Sequence, residues 1–110
     1  MKIIYNSILP FGRDYSAINL MGVLFVKHGI RLTPELLNHE AIHSAQMREM
    51  LYLPFYLLYV LEWLWRLLQT RGNSLEAYRR ISFEREAYAH GSDPSYLPRR
   101  RRFAQYRRPT

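Results

Sequence analysis

His39, Glu40 and His43 stand in the arrangement H-E-x-x-H, within Asn38-His39-Glu40-Ala41-Ile42-His43. On a helix, positions four apart share a face, so His39 and His43 can present ring nitrogens to one metal ion. Glu40 lies about 100° round from His39, within reach of a water at that ion. Two imidazoles one turn apart, with a carboxylate to accept the water's proton, are the parts of metal-assisted hydrolysis. The competing reading is a helix that carries two histidines by chance. With only four His in 110 residues, the pattern arises roughly once per hundred such sequences.

The chemistry requires a helix at this point, and the sequence signals one. Thr33 can cap, Pro34 suits the first turn and Glu35 faces the positive end of the dipole. The first helix is expected over residues 34–51, with a break at Pro54. A second is expected over 54–70, ending at Gly72. Asn73 or Ser74 caps a third, which runs to His90 and is ended by Gly91-Ser92-Asp93-Pro94. Before them, residues 2–9 read as a short strand ended by Pro10 and Gly12, and 17–27 as a second apolar run in which Gly22 marks a bulge. Lys27-His28-Gly29 is a turn. The expected fold class is α+β: a short N-terminal antiparallel β-ribbon followed by three helices. Residues 1–98 form one domain and 99–110 an Arg-rich tail; the segment 95–110 that follows the third helix holds Tyr96, Leu97, Phe103 and Tyr106 as candidate anchors. No internal repeat is present.

A chain of 110 residues and 13.3 kDa supports one modest core and excludes two-domain cleft enzymes and barrels. The absence of cysteine excludes disulfides, Cys-rich zinc modules, iron–sulfur clusters and thiol catalysis. Any zinc site must therefore use His, Asp or Glu. The net charge of +7 is uneven. Residues 99–110 carry six Arg and no acid, whereas residues 1–98 hold ten basic and nine acidic side chains. No signal-peptide pattern is found, which points to a cytoplasmic or membrane-associated protein.

A catalytic zinc takes a third protein ligand and keeps one position open. Gln46 and Glu49 follow His43, and no third His stands at the H-E-x-x-H-x-x-G-x-x-H position. The segment Phe83-Glu84-Arg85-Glu86-Ala87-Tyr88 on the third helix offers Glu84 and Glu86. His90, Asp93 and His28 are further candidates. A Glu-Arg-Glu run is also what a solvated helix face looks like. Glu84 follows His43 by 41 residues, room for one intervening helix and a turn.

These two segments together resemble the glutamate-type zincins (gluzincins), which pair H-E-x-x-H on one helix with a Glu on a later one. The HtpX-like branch reads E-x-x-A-D at the second place, where this chain reads Glu84-Arg85-Glu86-Ala87-Tyr88. The resemblance spans residues 38–90. It implies a minimal zincin-like fold with Zn²⁺ as cofactor and His39, His43 and Glu84 as ligands. It implies a metallopeptidase that hydrolyses peptide bonds of a peptide or protein substrate with an activated water and Glu40 as general base. Tyr88 stands where the family has an Asp that supports a zinc ligand. Family members use a Tyr or His outside the ligand set to donate to the oxyanion; Tyr78, Tyr88 and His90 are the candidates here. They also lay a substrate along a strand beside the active-site helix, a place that 17–27 could fill, although core packing accounts for that run as well. The chain is further similar to a family of short bacterial zinc peptidases, through residues 37–46 and 81–88.

Residues 51–68 are almost continuously apolar, interrupted by Pro54, Glu62 and Arg66. Three readings remain open: the core helix of a small domain, a membrane-surface or dimer-forming helix, and a membrane-spanning helix. The Arg tail fits an anionic membrane surface, a solvated extension, arginines that pair with acids of the body, or nucleic acid. Nucleic acid is disfavoured, because it leaves His39, Glu40 and His43 unexplained. The alternative to an enzyme is a non-catalytic zinc-binding protein with a structural or interaction role.

Overall fold

The computed structural model of the protein describes residues 2–9 and 16–106. Pro10 and Gly12, expected to end the first strand, lie outside them, as do Arg107 and Arg108 of the tail. The protein has an α+β fold: a three-stranded sheet and, among the described residues, five α-helices.

The strands are β1 (Lys2–Asn6), β2 (Ala17–Leu20) and β3 (Val23–Lys27), in the order β1-β3-β2. The apolar run 17–27 is therefore two strands rather than one with a bulge. Met21 and Gly22 take φ of 52° and 90°, the pair of positive values that a tight hairpin turn needs and that glycine supplies without strain. β2 and β3 pair antiparallel, with Leu20 opposite Val23. β1 pairs parallel to β3, with Lys2 opposite Val23, so the sheet is mixed and not an antiparallel ribbon. The chain reverses once between β1 and β2 and again at the hairpin, which leaves β3 running as β1 does. β3 takes the centre because its Leu24 and Val26 are fully buried.

The first helix, α1 (Pro34–Glu49), starts as its sequence requires: the Thr33 hydroxyl accepts from the Leu36 N–H at 3.0 Å. Its buried face is His39, Glu40, Ile42, His43, Gln46 and Met47. Four of those six are polar, which a helix serving only as packing would not bury. α2 (Leu53–Gln69) follows at a bend of 114°, with Leu51 and Tyr52 at positive φ in the corner. Of α2, only Phe55 is buried. It joins Met47, Ile81 and Phe83 in one apolar cluster, while Ile42, Ala87 and Tyr96 form another. The reading of 51–68 as a core helix thus holds for one side of α2 only. No single helix among the described residues is long and apolar enough to cross a membrane.

The expected third helix is two: α3 (Ser74–Arg80) and α4 (Ser82–His90). Ile81 between them is extended (φ −60°, ψ 134°) and fully buried. The Glu62 carboxylate accepts from the Ser82 N–H at 3.1 Å and its hydroxyl at 2.7 Å. The break therefore buries Ile81 and gives the start of α4 an acidic partner, which favours a helix N-terminus. α5 (Tyr96–Arg99) and a 3-10 turn at Ala104–Tyr106 complete the described chain.

Candidate metal centre

α1 and α4 bring the two sequence segments together. Glu84 Oε1 lies 3.2 Å from His39 Nε2 and 2.9 Å from His43 Nε2, and the two Nε2 atoms are 3.2 Å apart. All three residues are buried, and they form a group that can hold a metal ion. The fit can be tested on these distances. Bonds of about 2.0–2.1 Å to a tetrahedral ion place its ligand atoms about 3.3 Å apart. The observed triangle has nearly that edge and is closed by the expected residue types.

Its chemistry leads to the same place. Gln46 Nε2 donates to Phe83 O at 3.0 Å and to Glu86 Oε1 at 2.9 Å. That fixes the amide so that its Oε1 faces His43 Nδ1, 2.8 Å away. Nδ1 must then carry a proton, and Nε2 turns its lone pair towards a carboxylate oxygen and another imidazole nitrogen. A lone pair and a carboxylate oxygen this close need a cation or a proton between them. In the protein alone a proton serves. Burial would pull the His43 pKa down, but Glu84 outweighs it and raises it from 6.5 to about 9. Burial alone would push Glu84 up. The His43 charge, with hydrogen bonds from His39, His43 and Tyr59, instead holds it well below the usual 4.5.

Glu40 is buried beside the histidines, and its Oε2 has no hydrogen-bond partner. Burial pushes its pKa up; the charges of His43 and His39 offset part of that rise. Two cavities of about 380 Å³ and about 470 Å³ flank the donors. Ala17, Glu40 and Tyr78 line both. His39 and Tyr88 open on the first, and His43 and Glu84 on the second. β2 forms part of the wall, and its outer edge pairs with no described strand.

The other sequence candidates divide. Tyr88 packs edge-on against the His39 ring, 4.6 Å between centroids, and its hydroxyl is 3.5 Å from that of Tyr78. Burial and then the Glu84 charge push the Tyr78 phenol pKa up. His90 is not brought to the site: it stacks flat on Tyr96, with ring centroids 3.8 Å apart, and lines neither cavity. Glu86 faces away from the donors, towards Gln46, Tyr96 and Arg100. Asp93 engages Ser95 and Arg99, and His28 is exposed.

Several residues of the site escaped the sequence reading. Tyr59 donates to Glu84 Oε2 at 2.7 Å and fixes the carboxylate's orientation. Helical spacing puts it on the side of Glu62 and Arg66, with nothing to pair it with Glu84. Asn19 donates to Glu40 O at 3.1 Å and to Ser44 Oγ at 2.8 Å, and accepts from the Gly22 N–H, latching the hairpin to α1. Gln46 did leave a signal: it lies three residues after His43, on the same helix face. Partners of this kind orient a metal-binding imidazole, and their loss weakens metal binding about 10–100-fold. Gln46→Ala is expected to lower metal affinity by that factor, measured by titration against a competing chelator.

No family model, curated protein or solved structure matches this chain.

Proposed function

We propose that the protein is a small zinc-dependent peptidase, in which His39, His43 and Glu84 hold the metal and Glu40 is the general base. The observation that carries this reading is the donor triangle with Glu40's unpartnered oxygen beside it. A His₂Glu set suits zinc and leaves a position open for water or substrate. Zinc bound there supplies a Lewis acid and lowers the pKa of its water to about 7.

The protein's own groups do the rest. Glu40 accepts the proton of the attacking water and passes it to the leaving amine. Burial, which raises its pKa, makes it a stronger base for that exchange than a solvated carboxylate. The Tyr78 phenol stays protonated, because burial and the Glu84 charge oppose its ionisation. It can therefore donate to a developing oxyanion, and it borders both cavities. Tyr88 is the second candidate for that donor. The outer edge of β2 offers backbone N–H and C=O groups to an extended peptide. The likeness of the two motif segments to gluzincins supports the same assignment.

Metal binding must displace the proton that bridges His43 and Glu84. With His43 raised to about 9, that proton is present at pH 7, so about one proton is released per metal bound. Calorimetric titration in buffers of different ionisation heat measures this number. The function itself is tested by assaying a broad peptide library before chelation, after it, and after zinc is restored. Cleavage that disappears and returns supports the proposal. A protein that binds zinc yet cleaves nothing is instead a structural or interaction module.

A further inference from the structure

α2 is apolar on both sides: Phe55, Leu58 and Trp63 pack inward, and its charged residues do not face outward. Glu62, Arg66 and Tyr59 sit on the side turned towards the protein. Glu62 receives Ser82, Tyr59 donates to Glu84, and Arg66 Nε is buried. Leu57, Val60, Leu61, Leu64, Trp65 and Leu68 face outward, each roughly half or more exposed. At 100° per residue they fall in one arc of about 140°, and no charged residue of α2 shares it. Exposed leucines scattered singly need no explanation, but a continuous strip does.

The surface charge indicates what covers the strip. Of the described acids, Glu40, Glu84 and Glu86 are buried. Glu49 is held by Arg100 and Glu62 by Ser82, while Glu76 and Asp93 pair with Arg80 and Arg99. Glu35, at the far end of α1, is the exposed acid that remains. Most of the described acids are thus buried or already paired. Exposed Arg48 and Arg71 stand just before and just after α2. A second copy packed through α2 would set these arginines against one another, and the exposed acid after Arg71, Glu76, is already paired with Arg80. Lipid phosphates complement them.

We infer that α2 lies in the plane of an anionic membrane surface, its leucine strip in the acyl boundary and its flanking arginines among the headgroups. The inference does not depend on the metal site, so it stands or falls apart from the proposed activity.

The test is co-sedimentation of the full chain, with and without chelator, on vesicles of pure phosphatidylcholine and of phosphatidylcholine with phosphatidylglycerol. Binding is expected on the anionic vesicles, at least about tenfold weaker on the neutral ones, and indifferent to chelation. Leu61→Glu with Leu64→Glu is expected to lower binding at least about tenfold, with unchanged thermal unfolding. Leu57→Gln with Leu68→Gln serves as the milder pair if the first unfolds. Absence of binding to anionic vesicles, or variants that bind like the parent, would overturn the inference. So would a stable dimer in lipid-free solution that the same substitutions dissociate, since a second copy would then cover the strip.

Discussion

Replacing Glu40 with Gln is expected to leave the protein folded and able to bind metal, and to lower peptide hydrolysis by about a thousandfold. Glutamine keeps the size of the side chain and removes its basicity. Glu40 Oε2 is unpartnered, and burial works against the charge of the carboxylate. A neutral amide there removes a buried charge without opening a cavity, so thermal stability should hold or rise. His39, His43 and Glu84 keep their geometry, and zinc affinity should change little. The diagnostic result is this separation of binding from turnover, read by peptide cleavage and metal titration on one preparation. Parent-level activity in the variant would remove Glu40 from the mechanism.

Replacing Arg100 with Met is expected to cost about 3–5 kcal/mol of stability, a large share of the 5–15 kcal/mol available to a small domain. The Arg100 side chain is only 6% exposed. It donates to Glu86 Oε2 at 2.5 Å, to Glu49 Oε2 at 3.0 Å and to Gln105 Oε1 at 2.9 Å. Its loss leaves two carboxylates without their cation, one of them buried. The damage should reach the metal centre, because Glu86 holds Gln46 and Gln46 orients His43. Thermal unfolding should fall by roughly 10–20 °C, with weaker metal binding in whatever remains folded. Arg100→Lys should recover little, because one ammonium cannot span both carboxylates as a planar fork does. An unchanged melting temperature would contradict the assignment of Arg100 as a buried clamp.

Local signals proved legible. Thr33-Pro34 places the start of α1, H-E-x-x-H places two donors on one face, and the likeness to E-x-x-A-D points to Glu84 rather than Glu86. Each depends on residues within a turn or two of one another. What escaped depends on distant partners. The break at Ile81 is supported by Glu62, twenty residues earlier. Arg100 looks like one of four consecutive arginines until Glu49 and Glu86 converge on it. The orientation of α2 was open because periodicity separates two faces of a helix without saying which meets the protein. Here the face bearing Glu62, Tyr59 and Arg66 turns inward, where Glu62 meets Ser82 and Tyr59 meets Glu84. The parallel placement of β1 follows from the hairpin at Met21-Gly22, and a single Gly in an apolar run also fits a bulge.

The most direct test of the central claim is zinc titration of metal-stripped protein, run beside His39→Ala and Glu84→Ala. Each variant's folding is followed by circular dichroism. About one zinc per chain is expected for the parent, and no stoichiometric binding by either variant while it retains its helices. A parent that takes up no zinc, or folded variants that bind it as the parent does, would contradict the assignment of His39, His43 and Glu84 as a metal centre.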